Sequence, residues 1–128
     1  MASGRVELMY RALRIESMIE LYVDRLKSIY SVAERKTRVS RPSKLWLQTK
    51  DMIEDAISTL DRVKSLISRF KFMGLPQYLE SAIKELDEAY YRIDNRFTGM
   101  PNIKRSVSAS ITSVALETRD LYRRCLNH

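Results

Sequence analysis

At 128 residues, with 45% apolar and 30% charged positions, the chain has the length and balance of one folded domain (1–128), which excludes a multidomain enzyme and a disordered tail. Its formal net charge of +7 favours polyanionic partners. The single Cys125 and the single His128 leave no internal disulfide, no Cys-rich zinc site, and no histidine base or ligand before the last position, so the expectation is a non-enzyme without metal or cofactor.

No run approaches the 18 or so uninterrupted apolar residues of a membrane span, and Arg5, Glu7, Arg11, Arg14, Glu16 and Glu20 occupy the region where a signal peptide is apolar. The expectation is a protein not inserted in a membrane, in the cytoplasm or, for a coat protein, in a virion. Arg outnumbers Lys by 15 to 8 and Asn plus Gln total five, a composition that leans towards a thermophilic source.

Three Gly and three Pro leave room for only a few long elements. From residue 6 to about 36, Leu8, Ala12, Ile15, Ile19, Tyr22, Leu26, Ile29 and Ala33 alternate steps of four and three, which predicts one long helix. Met9, Leu13, Met18, Leu21, Val23 and Tyr30 widen its apolar stripe and predict contact with two neighbours. Thr37 to Ser43 break the period as a loop with Pro42 and two capping serines, Ser40 and Ser43. A second helix over 43–72 follows on Trp46, Thr49, Ile53, Ala56, Leu60, Val63, Ile67 and Phe70.

The next two breaks echo each other, Phe72-Met73-Gly74-Leu75-Pro76 and Phe97-Thr98-Gly99-Met100-Pro101. In each, Gly is expected to end a helix in the left-handed region and Pro to open the next. The third helix is predicted over 76–97 and the fourth over 102–127. Short connections make sequential helices antiparallel, so the fold expected is all-α, an elongated antiparallel four-helix bundle.

The charge is clustered. Arg35, Lys36, Arg38, Arg41, Lys44 and Lys50 follow one another with no acid among them, and the up-down topology returns Arg96, Lys104 and Arg105 to the same end. These nine are the candidate nucleic-acid contacts, with Ser40 and Ser43 as added hydroxyl donors. Arg5, Arg69, Lys71, Arg123 and Arg124 form a secondary basic pole at the other end. Asp51, Glu54, Asp55, Glu85, Asp87 and Glu88 lie between. Arg offers a planar fork that matches phosphate oxygens. The competing explanation is that cations near helix carboxyl ends merely offset helix dipoles. No base-reading motif is present, so any recognition is of the phosphate backbone.

Most of the seven tyrosines and Trp46 fall on or beside the apolar stripes and are expected to pack in the core or an interface rather than stack on bases. Ser106, Ser108, Ser110, Thr112 and Ser113 around Ala109 give the fourth helix a small-residue face, a candidate contact between subunits or an ordinary exposed face. Arg123 and His128 resemble the Arg-x4-His pattern of helical nucleases with the HEPN fold, but an Arg near any His is common by chance in so Arg-rich a chain, and an active site needs a locked side chain.

Size, helix content, composition and the basic 35–50 segment together resemble the coat proteins of filamentous viruses of hyperthermophilic archaea. That resemblance implies stoichiometric coating of double-stranded DNA through phosphate contacts, as a homo-oligomer or with a second related helical subunit, and DNA contacts on Arg35, Lys36, Arg38, Arg41 and Lys44. RNA remains an alternative polyanion. The other readings are a small helical subunit of an RNA-guided ribonucleoprotein complex and a helical protein-protein adaptor.

Overall fold

The computed structural model describes residues 2–39 and 44–127. Four helices follow in order, α1 (Ala2–Thr37), α2 (Lys44–Met73), α3 (Pro76–Asn95) and α4 (Pro101–Leu126). The apolar spacing therefore locates all four helices, and their ends fall within a few residues of the expected ones. Ser40, Arg41, Pro42, Ser43 and His128 lie outside the described residues.

Antiparallel order is fixed by contacts that run in opposite directions along each pair. Between α1 and α2, Tyr30 meets Glu54, Glu20 meets Lys64, and Glu16 meets Lys71. Between α2 and α3, Asp55 meets Arg92 and Arg62 meets Glu85. Arg119 of α4 reaches Asp87 of α3, and α4 closes on α1 through Arg11 and Asp120. The bundle thus closes within one chain, with α2 also touching α4 across it.

One continuous core holds Ile15, Ile19 and Leu26 of α1 against Met52, Ile53, Leu60 and Ile67 of α2, Leu79, Leu86 and Ile93 of α3, and Ile111 and Leu121 of α4. Removal of these side chains from water is the main force holding the helices together. The buried threonines are satisfied locally. Thr118 donates to the Val114 carbonyl at 2.7 Å, while Thr59 accepts from the guanidiniums of Arg62 and Arg92, each at 3.3 Å.

The widened stripe of α1 is covered in part, with Val23 buried and Met18 and Tyr30 half-buried. The helix does touch two neighbours, but Met9, Leu13 and Leu21 are 41%, 48% and 58% exposed. Met9 borders a cleft against Phe70 and Met73 at the end of α2, while Leu13 and Leu21 are turned to solvent.

The two echoed breaks also diverge. Gly74 sits at φ +71° and its N–H donates to the Phe70 carbonyl at 2.7 Å, the left-handed stop expected of glycine. Gly99 does not serve as such a stop. α3 has already ended at Asn95, where the N–H groups of Arg96 and Phe97 both donate to the Arg92 carbonyl, at 2.8 and 3.1 Å. Gly99 is instead buried against α2, and a Cβ there would stand 3.0 Å from Met52 Cε and 3.2 Å from Thr49 Oγ1. Glycine is needed for close approach, not for a left-handed φ.

Candidate nucleic-acid interface

The ends of α1 and α3 and the starts of α2 and α4 form one tip of the bundle. Two contacts tie the tip together. Thr49 Oγ1 accepts the Met100 N–H at 2.9 Å while donating to the Leu45 carbonyl at 2.7 Å, which pins the α3–α4 connection onto the first turns of α2. Lys50 Nζ lies 5.6 Å from the centre of the Tyr30 ring, joining α2 to the last third of α1.

The described candidate residues all fall at this tip but have different surroundings. Arg35 and Lys36 occupy the last turn of α1 and are exposed. Lys44 opens α2, Arg96 follows α3, and Arg105 stands in the second turn of α4, all three exposed. Among the described residues, none of these five has a carboxylate within ion-pair distance of its charge.

Three others are engaged. Arg38 pairs with Glu34 one turn back. Lys50 is half-buried over Tyr30, whose hydroxyl donates to Glu54 at 2.6 Å. That hydrogen bond, aided by burial, pushes the Tyr30 phenol above its ordinary pKa. Lys104 donates to the Phe97 carbonyl at 3.1 Å and the Asp94 carbonyl at 3.4 Å, so it caps the end of α3 and meets the negative end of that helix dipole.

Backbone electrostatics add to the tip. Neither α2 nor α4 carries an acid in its first turn, and α4 has no side-chain cap, so the positive dipole ends of these two helices are not offset by local carboxylates.

The opposite end holds Arg5, Arg69, Lys71, Arg123 and Arg124, but its charge is largely neutralised. Asp120 receives Arg124 Nε at 2.9 Å and Arg123 Nη2 at 3.2 Å, with Arg11 at 3.5 Å. The Arg124 hydrogen bond leads in holding the Asp120 carboxyl below its usual range. Lys71 Nζ lies 2.7 Å from Oε1 of the buried Glu16, an ion pair outside hydrogen-bond alignment, and Ser68 donates to Oε2 at 2.9 Å. Only Arg5 and Arg69 of the five stand exposed without an ion pair among the described residues. In the middle, Asp55, Glu85 and Asp87 are held by Arg92, Arg62 and Arg119.

Tyr22, Tyr30, Tyr78, Tyr122 and Trp46 pack partly buried against the core, as their spacing predicts, whereas Tyr10, Tyr90 and Tyr91 are exposed. The small-residue face of α4 meets α1 in part, with Ser106, Ala109, Ser110 and Ser113 lining a groove against Tyr22, Arg25 and Ile29. Arg123 of the Arg-x4-His pattern is bound to Asp120, and His128 is outside the described residues. Among the described residues no cluster of three His, Cys, Asp or Glu side chains could hold a metal, and no helix is long and apolar enough to cross a membrane.

The division between engaged and free cations was partly readable. Glu34 lies four residues before Arg38, and Asp120 lies three and four before Arg123 and Arg124, spacings that place opposite charges side by side on a helix. The capping role of Lys104 depends on the path of the 96–100 connection and has no such signal. No family model matches the chain, and neither a curated protein nor a solved structure shows significant similarity to it.

Proposed function

We propose that this chain is a structural nucleic-acid-binding protein, a coat subunit that packages double-stranded DNA in a filament through phosphate contacts. The observation that carries the reading is the tip where Arg35, Lys36, Lys44, Arg96 and Arg105 stand exposed with no carboxylate within ion-pair distance of their charges among the described residues. Cations that only balance a fold tend to find acids, as Lys71, Arg123 and Arg124 do at the other end. A cluster left unpaired suits a partner that brings its own negative charge. Arginine forks and the amino ends of α2 and α4, neither of which carries an acid in its first turn, suit phosphate oxygens. In this reading the subunit assembles with copies of itself or with a related helical chain, and its place is the virion.

The test is a titration of fluorescent duplex DNA over a range of salt concentrations. Five phosphate contacts give a log-log slope of about −4 to −5, because each contact releases condensed counterions. Electron microscopy of the low-salt complex then shows filaments with DNA inside. Binding confined to single-stranded RNA moves the chain to a ribonucleoprotein complex, and binding to no nucleic acid overturns the reading in favour of a protein adaptor.

A further inference from the structure

α1 is apolar on two sides. One side is the core stripe of Ile15, Ile19 and Leu26. Roughly opposite on the helix, at 100° per residue, lie Val6, Tyr10 and Leu13, which are 56%, 73% and 48% exposed. A helix face turned to water is ordinarily polar, and a second apolar face calls for a second covering.

The charges beside this face say what could cover it. Glu7 and Arg14 stand on the same edge of the stripe, two turns apart. Arg14 has no ion pair among the described residues. Glu7 offers Oε1 to Arg11 at 3.2 Å and to Arg124 at 3.8 Å, while no contact engages its Oε2 among the described residues. When two identical helices pack antiparallel about a two-fold axis, each edge meets its own counterpart. With the axis beside Tyr10, Val6 comes within one residue, about 1.5 Å of helix rise, of the level of Leu13 of the second copy, and Glu7 within one residue of the level of Arg14 of the second copy, each pairing occurring twice. One register therefore matches both the apolar residues and the charges. A shallow, open depression lined by Glu7, Tyr10, Arg11, Leu13, Arg14 and Ser17 lies on this face.

We infer that the outward face of the first four turns of α1 is a self-association surface, occupied by the same face of a second copy of this chain in an antiparallel two-fold dimer. The contact is confined to a few turns of one helix, which suits a reversible dimer at micromolar concentrations rather than an obligate pair. The inference does not depend on which polyanion, if any, the cationic tip binds.

Sedimentation equilibrium of the full chain without nucleic acid tests it. The unaltered protein is expected to follow a monomer–dimer equilibrium. Arg14→Glu sets two carboxylates against each other at each end of the contact and weakens the dimer by about tenfold or more. The exchange Glu7→Arg/Arg14→Glu restores it. In a Cys125→Ser background, Tyr10→Cys places two thiols beside the axis and gives a covalent dimer on oxidation. Thermal melting by circular dichroism checks that each variant is folded. A protein that stays monomeric throughout the micromolar range, an Arg14→Glu variant that dimerises as before, or a folded charge-exchange variant that fails to dimerise overturns the inference. Duplex binding, read separately by titration, is expected to persist in Arg14→Glu, so failure here is distinct from failure of the DNA-coating reading.

Discussion

Lys104 and Arg105 are neighbours in sequence, carry the same charge and lie at the same tip, yet they have different roles. Lys104 holds two carbonyls at the end of α3, and Arg105 holds nothing among the described residues. Replacing Lys104 by Ala leaves those carbonyls to water and removes a cation from the negative end of a helix, which is expected to lower stability by about 0.5–1 kcal/mol. Replacing Arg105 by Ala is expected to leave stability unchanged within about 0.5 kcal/mol, as for other exposed positions without partners. For DNA the order reverses. Arg105→Ala reduces the magnitude of the salt slope by about one contact, and Lys104→Ala changes it little. Chemical denaturation and salt-dependent titration of the two variants separate the roles.

At the level of elements, two turns of similar sequence close two helical hairpins by different physics. Gly74 has open space around it but a backbone that L side chains rarely adopt, so Gly74→Ala is strained by conformation alone, by about 1 kcal/mol. Gly99 has no positive φ but lies against Met52 and Thr49, so Gly99→Ala must displace a buried side chain or loosen the Thr49–Met100 hydrogen bond. Overpacking of this kind costs about 1–3 kcal/mol, and the second variant is expected to melt lower than the first. It should also weaken DNA binding, because the same contact positions the start of α4 at the tip. Gly74→Ala lies at the far end and should not. Calorimetry and titration check both.

This contrast also marks what the sequence could reveal. The steps of three and four that place Ile15, Ile53, Leu86 and Ile111 in the core are local and periodic, so the helices and the bundle were legible. The widening of α1 by Leu13 and Leu21 was legible as apolar but not as exposed, because nothing local tells which arc the neighbouring helices cover. Of the candidate tip, the positions of the cations followed from topology. Their partners did so only where the spacing is local, as for Arg38 and Glu34: Lys104 is engaged through a connection whose path depends on Gly99 packing into α2, a tertiary contact with no periodic trace.

Across the whole molecule the two ends differ in how charge is held as well as in how much is present. Arg123 and Arg124 share Asp120 on a surface crossed by ion pairs, while Arg35 and Lys36 close α1 with no carboxylate within ion-pair distance among the described residues. Two double variants, Arg35→Ala/Lys36→Ala and Arg123→Ala/Arg124→Ala, remove the same two charges from the same net total. If the chain attracted DNA merely through its overall charge, both would weaken binding equally, since a diffuse field depends on the sum. If the phosphate strand seats at the cationic tip, the first double variant removes two direct contacts and reduces the salt-slope magnitude by about two, while the second keeps nearly the full slope and affinity. The second variant strips Asp120 of two partners, but Arg11 remains at 3.5 Å. The pairs are surface pairs of about 0–1 kcal/mol each, so the fold is expected to survive. Equal losses in the two variants, measured by titration on one duplex at several salt concentrations, would falsify a tip-bound duplex and leave only a uniformly basic particle.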